Sequence, residues 1–287
     1  MSAIDAHVHL FADARTGLLA QGGTARAGFV GVPDDLVSVL DGGRIGGAVV
    51  VAAAPVELWR QADSGEDGVE GRVVAQLVEL NEWTCRAVES DSRLRAAIAA
   101  EASIDPQRMA AEIRDKAGRR GVCGVKLHPA LNFTPPTHPG YREILQAARD
   151  AELVVVAHGG GSAGTPYEAP VDYCAPANFG PLLVEFPTVA LIVAHLAHPY
   201  VDDLTRMAGD HSNLFTDLSY VVGAGHLVGE RLRSAVRAFG VERVLLGSDF
   251  PYFDPEESLD RLDAAGLTAG EFEAVSAANA KTLFGFA

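Results

Sequence analysis

Eight short apolar runs alternate with longer stretches of helical period along nearly the whole chain, and this alternation limits the folds open to it. The runs fall at 3–10, 47–53, 94–102, 122–128, 153–158, 189–195, 214–218 and 244–249. They are rich in Val, Ile, Leu and Ala, as suits parallel strands packed on both faces. Helical stretches lie between them. Pro33-Asp34-Asp35 opens one with a proline and an acidic first turn, and Asp105-Pro106 opens another. Others are expected at 68–91, 140–151, 177–186, 199–210, 226–239, 255–265 and 269–284. No low-complexity linker or shift in composition divides the 287 residues. The repeat therefore predicts a single-domain α/β fold, the (β/α)8 TIM barrel, which takes about 250 residues or more as one unit. A doubly wound sheet would usually show a glycine-rich phosphate turn after its first strand, whereas this first strand ends in histidines. The segment 11–32 is long for a strand-to-helix loop and carries Gly17, Gly22, Gly23, Gly28 and Gly31, so a flap over the strand ends is expected there.

Bulk composition excludes several classes. Hydrophobic residues make up 48%, which favours a packed domain over a disordered chain. A formal net charge of −15, with no Lys/Arg cluster, repels polyanions and argues against nucleic-acid or membrane-surface partners. The opening MSAIDAHVHL has neither a basic region nor a greasy stretch, so no targeting segment is read and a cytoplasmic location is expected. Cys85, Cys123 and Cys174 are odd in number and far apart, which suggests buried thiols rather than disulfides or a thiolate metal site.

The unusual polar residues fall where a barrel enzyme keeps its active site, at the C-terminal ends of strands. His7 and His9 end the first run, Lys126 and His128 the fourth, His158 the fifth, His195 the sixth and Asp249 the eighth. Ionisable groups inside apolar strands are costly unless paired or ligated. Residues two apart on a strand share a face, with alpha carbons about 6.5–7 Å apart, so His7 and His9 converge and suit one metal ion. Asp5 falls on the same face one step deeper. By the same parity Lys126 and His128 point inward together and Cys123 outward. Ser219 and Tyr220 end the seventh run, with Tyr220 a candidate substrate contact; Glu101 and Ser103 end the third. His198 is a candidate for the pocket rim or for a helix start, while His138, His211 and His226 read as structural or solvated. No GxSxG elbow occurs, which argues against acyl-enzyme chemistry.

Asp5-Ala6-His7-Val8-His9 resembles the opening motif of the amidohydrolase superfamily. Gly124-Val125-Lys126-Leu127-His128-Pro129, Leu191-Ile192-Val193-Ala194-His195-Leu196 and Leu246-Gly247-Ser248-Asp249-Phe250-Pro251 resemble its amidohydrolase-2 group, relatives of aminocarboxymuconate-semialdehyde decarboxylase. The ending Asn279-Ala280-Lys281-Thr282-Leu283-Phe284-Gly285 is similar to that group's last helix. The resemblance implies His7, His9, His158 and Asp249 as metal ligands, with His195 as a further ligand or an acid/base near the substrate. It implies for Lys126 either the carbamylated lysine of some superfamily members or a plain ammonium pairing with a substrate carboxylate or Asp249; the nearby His128 departs from the pattern and favours the ammonium.

Three nitrogens and one carboxylate oxygen suit Zn²⁺, with Mn²⁺ or another first-row ion as the alternative, one per chain. Metal-activated water attacking a small ester, lactone or amide is the first expectation, with Asp249 or His195 accepting the proton. Non-oxidative decarboxylation of a small carboxylic acid at the same site is the alternative. There Lys126, or Arg15 or Arg26 from 11–32, would meet the carboxylate. A non-catalytic metal or metabolite binder is a third reading. Lys126, His128, Tyr220 and His198 are the expected substrate contacts, and a homodimer is a common outcome for such barrels.

Overall fold

The computed structural model describes residues 2–65, 67–161 and 171–287, with the backbone alone at 171 and 172. Eight strands run in sequence order: β1 (Ala3–Val8), β2 (Ile45–Val51), β3 (Leu94–Ala99), β4 (Val122–Leu127), β5 (Val154–Ala157), β6 (Leu191–Val193), β7 (Leu214–Asp217) and β8 (Val244–Leu245). Each pairs in parallel with the next. The ring closes between β1 and the segment around β8. Val8 bridges Phe250 in parallel, Ala6 N–H donates to the Leu246 carbonyl at 2.8 Å, and His9 N–H donates to Phe250 at 2.6 Å. This is the (β/α)8 barrel expected from the alternation.

The eighth strand is shorter than the apolar run 244–249. The Ser248 N–H donates to the Asp5 side chain at 3.0 Å instead of a ladder carbonyl, and Asp249 has φ 67, so the regular strand is interrupted before the chain pairs with β1 again at Asp249 and Phe250. The helices are α1 (Ala14–Ala20), α2 (Pro33–Gly42), α3 (Val56–Ala62), α4 (Val69–Glu89), α5 (Pro106–Ala117), α6 (Gly140–Asp150), α7 (Gly180–Glu185), α8 (Val201–Asp210), α9 (Gly229–Phe239), α10 (Pro255–Asp263), α11 (Ala269–Glu273) and α12 (Asn279–Phe284). The helix expected over 269–284 is continuous, with α11 and α12 joined through a π-helical stretch at Ala274–Ala278. Proline and an aspartate cap start α5 and α10: Asp105 accepts from Arg108 N–H, and Asp254 from Glu256 N–H.

Two buried clusters separate the inside of the ring from its jacket. Ile4, Ala6, Val49, Val51, Ala97, Val154, Val156, Ile192 and Leu245 form one cluster, joined by Ala280 and Phe284 of α12. Side chains from strands all around a ring can meet one another only inside it. The larger cluster joins the opposite strand faces to the helices. Cys123 packs against the inner cluster, not outward as simple alternation predicts. A register shift causes this: Ala96 pairs with Val122 and Ala97 with Gly124, so Cys123 is the extra residue of a bulge. Among the described residues, no helix is long and apolar enough to cross a membrane.

The segment 11–32 has structure of its own. It carries α1, whose N-cap Asp13 accepts from Thr16 N–H, and the buried Gln21 amide donates to the Phe29 carbonyl at 3.0 Å. At Gly31 (φ 88) a Cβ would stand 2.6 Å from Pro251 Cγ, so this segment packs directly beside the loop that follows Asp249.

Candidate active site

The strand ends bring one carboxylate and two imidazoles of β1 and β8 together. His7 is fully buried, and His9 and Asp249 are largely so. A register irregularity between Asp5 and Val8 sets the end of β1. The Asp249 N–H donates to the His7 carbonyl at 2.9 Å, which holds the two chain segments side by side. Gly247 lets them approach, since a Cβ there would lie 3.0 Å from both His7 Cβ and Ser219 Cβ. His9 Nδ1 lies 2.9 Å from the Val51 carbonyl, which can only accept, so Nδ1 carries the proton and Nε2 offers a lone pair. That lone pair faces Asp249 Oδ1 at 3.1 Å. His7 Nε2 lies 3.8 Å from the same oxygen. Acceptors this close require a proton between them, or a metal ion that all three can share.

Among the described residues, two sets of three bring ligand atoms within 4.8 Å of one another: His7, His9 and Asp249, and His7, His195 and Asp217. The second is already committed to itself. Asp217 Oδ2 meets His7 Nδ1 at 2.8 Å, and its Oδ1 accepts from the N–H groups of His195 (3.0 Å) and Ser219 (3.1 Å) and from the Ser219 hydroxyl. The first set has the uncommitted acceptors, and it fits a metal better. Its nitrogen and carboxylate donors match a first-row divalent ion.

His158, expected among the ligands, belongs to neither set. Its ring stacks on His128 with centroids 4.0 Å apart. Its Nε2 lies 3.1 Å from the Gly161 carbonyl and its Nδ1 3.1 Å from His195 Nε2. His195 Nδ1 in turn meets Ser219 Oγ at 2.8 Å. Burial drives the His128, His158 and His195 pKa values down; neighbouring positive charge adds to this for the first two, and Asp217 opposes it at His195.

Lys126 is 2% exposed, and its ammonium lies 3.4 Å from His7 Nε2. No carboxylate among the described residues comes within salt-bridge distance of it, so the expected pairing with Asp249 is not made. Burial lowers its pKa to about 8 against the pull of Asp217 and Asp249. Burial, then the Lys126 charge, lowers His7 to about 3. Burial would raise the Asp217 and Asp249 carboxyls, but His7 chiefly for the first and His9 chiefly for the second hold them well below the usual range.

Asp5 does not join the metal-capable sets. Its Oδ1 accepts from His7 N–H at 3.2 Å and Ser248 N–H at 3.0 Å, tying the β1 end to the Asp249 loop. Burial raises its pKa to about 7.

Tyr220 and His198 stand at the rim. The Tyr220 hydroxyl lies 3.0 Å from His226 Nε2, and His226 stacks on His198 with centroids 4.5 Å apart. Tyr220 also lies edge-on to His195, at 6.1 Å. His226, read from sequence as structural or solvated, thus belongs to this aromatic rim. His138 is structural as read, its Nδ1 accepting from Gly140 N–H at the start of α6. Glu101 braces the loops after β3 and β4, accepting from Ser103 N–H at 2.9 Å and Asn132 Nδ2 at 2.7 Å. His195 (φ 63), Tyr220 (φ 62) and Asp249 (φ 67) all take left-handed backbone at their strand ends, a costly conformation for residues other than glycine and one that gathers at functional sites.

Asp217 is the site residue that sequence reasoning missed. The signal was present: a carboxylate two residues before Ser219, in the apolar run Leu214-Phe215-Thr216-Asp217-Leu218.

The amidohydrolase family model, of the amidohydrolase-2 group, matches residues 4–286. A search of curated proteins finds no significant match. Among solved structures, 5-carboxyvanillate decarboxylase from Sphingomonas paucimobilis is 14% identical with a TM-score of 0.72, over 100% of this chain and 99% of that one. A dihydroxybenzoic acid decarboxylase from Polaromonas sp. JS666, solved with manganese and the inhibitor 2-nitroresorcinol, is 14% identical with a TM-score of 0.74, over 99% and 97%. The 2,6-dihydroxybenzoate decarboxylase from Rhizobium is 14% identical with a TM-score of 0.68, over 99% of each chain. At that identity the likeness establishes a shared fold.

Proposed function

Since the chain belongs to the amidohydrolase family, we propose that it is a metal-dependent, non-oxidative decarboxylase of a small carboxylic acid. The observation that carries this reading is a buried Lys126 ammonium beside the His7–His9–Asp249 set, with no carboxylate among the described residues at salt-bridge distance. A substrate carboxylate would supply the missing negative charge. A neutral ester, lactone or amide would leave that buried cation unpaired, which is costly. The decarboxylases that share the fold, one of them holding manganese, support the same choice.

We assign His7, His9 and Asp249 to one divalent ion, Zn²⁺ or Mn²⁺; His158, the further ligand expected from sequence, joins them by giving up its Nδ1 contact with His195. When bound, such an ion supplies Lewis-acid charge that anchors substrate oxygens and stabilises developing negative charge. Lys126, unmodified, pairs with the substrate carboxylate. The bond from that carboxylate to its neighbouring carbon breaks, carbon dioxide leaves, and the carbon left behind takes a proton. His195 supplies it and is reprotonated from solvent. The contacts of its Nδ1 with Ser219 Oγ and the Ser219 carbonyl hold the ring in place for this. Asp249 stays ionised beside His9 as a ligand. Tyr220, His198 and the His128 ring line the way in and contact the substrate body.

Metal content and product analysis test this together. Protein purified without chelators should hold about one Zn²⁺ or Mn²⁺ per chain, the count of a single four-donor site. It should release carbon dioxide from 2,6-dihydroxybenzoate or a related hydroxybenzoic acid. Acid formed from esters or lactones, with no carbon dioxide from any carboxylic acid, would replace decarboxylation by hydrolysis. No metal after supplementation with both ions would sink the metal site.

A further inference from the structure

We infer that Asp217 is a positioning residue: it fixes the tautomer of His7 and so decides which ring nitrogen faces His9 and Asp249. The hydrogen bonds on both sides of the His7 ring lead to this. Asp217, at the end of β7, is 1% exposed. Its Oδ1 is held by donors that cannot do otherwise, the backbone N–H groups of His195 at 3.0 Å and Ser219 at 3.1 Å. Its Oδ2 meets His7 Nδ1 at 2.8 Å. Three donors on one oxygen favour the ionised carboxylate, whose Oδ2 then accepts from a proton on His7 Nδ1. Across the ring, the Lys126 ammonium lies 3.4 Å from Nε2. An ammonium only donates, so Nε2 must be the acceptor. Both faces of the imidazole agree. The one Nε2 lone pair, which Lys126 approaches at 3.4 Å, is also the His7 donor nearest Asp249 Oδ1, 3.8 Å away, so an ion bound there takes the place of the Lys126 contact.

Asp217 thus acts through His7, as a carboxylate behind a ligating histidine does. The isosteric variant Asp217→Asn shows why the charge matters. Its amide oxygen would take the Oδ1 position, because the His195 and Ser219 N–H groups tolerate only an acceptor there. The NH₂ group would then face His7 Nδ1, which would have to accept. The ring proton would move to Nε2 and point at the metal-capable set. That effect on metal binding rests on the proposed metal site; the tautomer does not.

The test reads the tautomer directly. Two-bond nitrogen–proton correlations on ¹⁵N-labelled, metal-free protein distinguish Nδ1–H from Nε2–H, with the His7 signals identified by their loss in His7→Asn. The native protein should show Nδ1–H and Asp217→Asn should show Nε2–H. Titration with Mn²⁺ and Zn²⁺ should give affinity about 10–100-fold weaker for Asp217→Asn. Ser219→Ala, which removes only the hydroxyl on Oδ1, should keep the native tautomer. Nε2–H on native His7, or Nδ1–H retained in Asp217→Asn, would overturn the assignment. Should Asp217→Asn fail to fold, the native spectrum decides alone. A tautomer that switches as expected in proteins that take up neither ion would leave Asp217 its role and remove the metal reading instead.

Discussion

Two groups of charged side chains in this molecule are built on opposite principles. On the barrel's outer side, α4 carries Glu82 and Glu89, α5 carries the largely covered Lys116, and Arg119 follows just after α5. Lys116 meets Glu82 at 3.2 Å and Asp115 at 2.8 Å, and Arg119 meets both oxygens of Glu89 and one of Glu82. Every cation there has its anions within the chain. At the strand ends, the Lys126 ammonium faces an imidazole, and the His9 lone pair faces a carboxylate. A network that serves only structure completes itself. One that leaves a buried cation and converging acceptors unmatched is arranged for something the chain does not supply.

Removing a member of each group should show the difference. Asp249→Ala takes away the oxygen on which His7 and His9 converge. It should abolish stoichiometric metal binding and lower kcat/KM at least about 100-fold, while the melting curve stays cooperative; native metal content in this variant would refute the assigned ligand set. Asp5→Ala removes the acceptor shared by His7 N–H and Ser248 N–H, leaving two buried donors unpaired. It should cost about 1–3 kcal/mol of stability by denaturant titration. Unchanged stability would show that the seam between β1 and the Asp249 loop is held by its backbone bonds alone. Glu82→Gln, on the solvated network, should shift the melting temperature least of the three, and the shift should fade in high salt. A larger effect than that of Asp5→Ala would reverse the contrast.

The same contrast explains what could be read from the sequence. The barrel was legible because eight apolar runs alternate with helical period, and proline or aspartate marks several helix starts. His7, His9, Lys126, His158, His195 and Asp249 stood out as ionisable residues at the ends of apolar runs. Asp217 did not, because Leu218 follows it and the run seemed to continue to its end. The direction in which a ring points was not legible either. Spacing put His158 at the end of β5, but its turn toward His195 and Gly161 depends on contacts far away in sequence. The helices α1 and α3 are seven residues each, too short for a periodic stripe to show. The π stretch joining α11 to α12 is Ala-Val-Ser-Ala-Ala, with no residue that marks the change of helical pitch.

The His9–Asp249 contact spans 240 residues of chain. The metal-capable set therefore draws on the first strand of the barrel and the segment just after the eighth. A partly synthesised chain would present His7 and His9 without their carboxylate, and that partial set would hold an ion weakly. An ion held by the proposed set would therefore bind firmly only once the ring is complete. An ion bound there would tie the two ends of the sheet together and resist their parting, by an amount that grows with its free concentration.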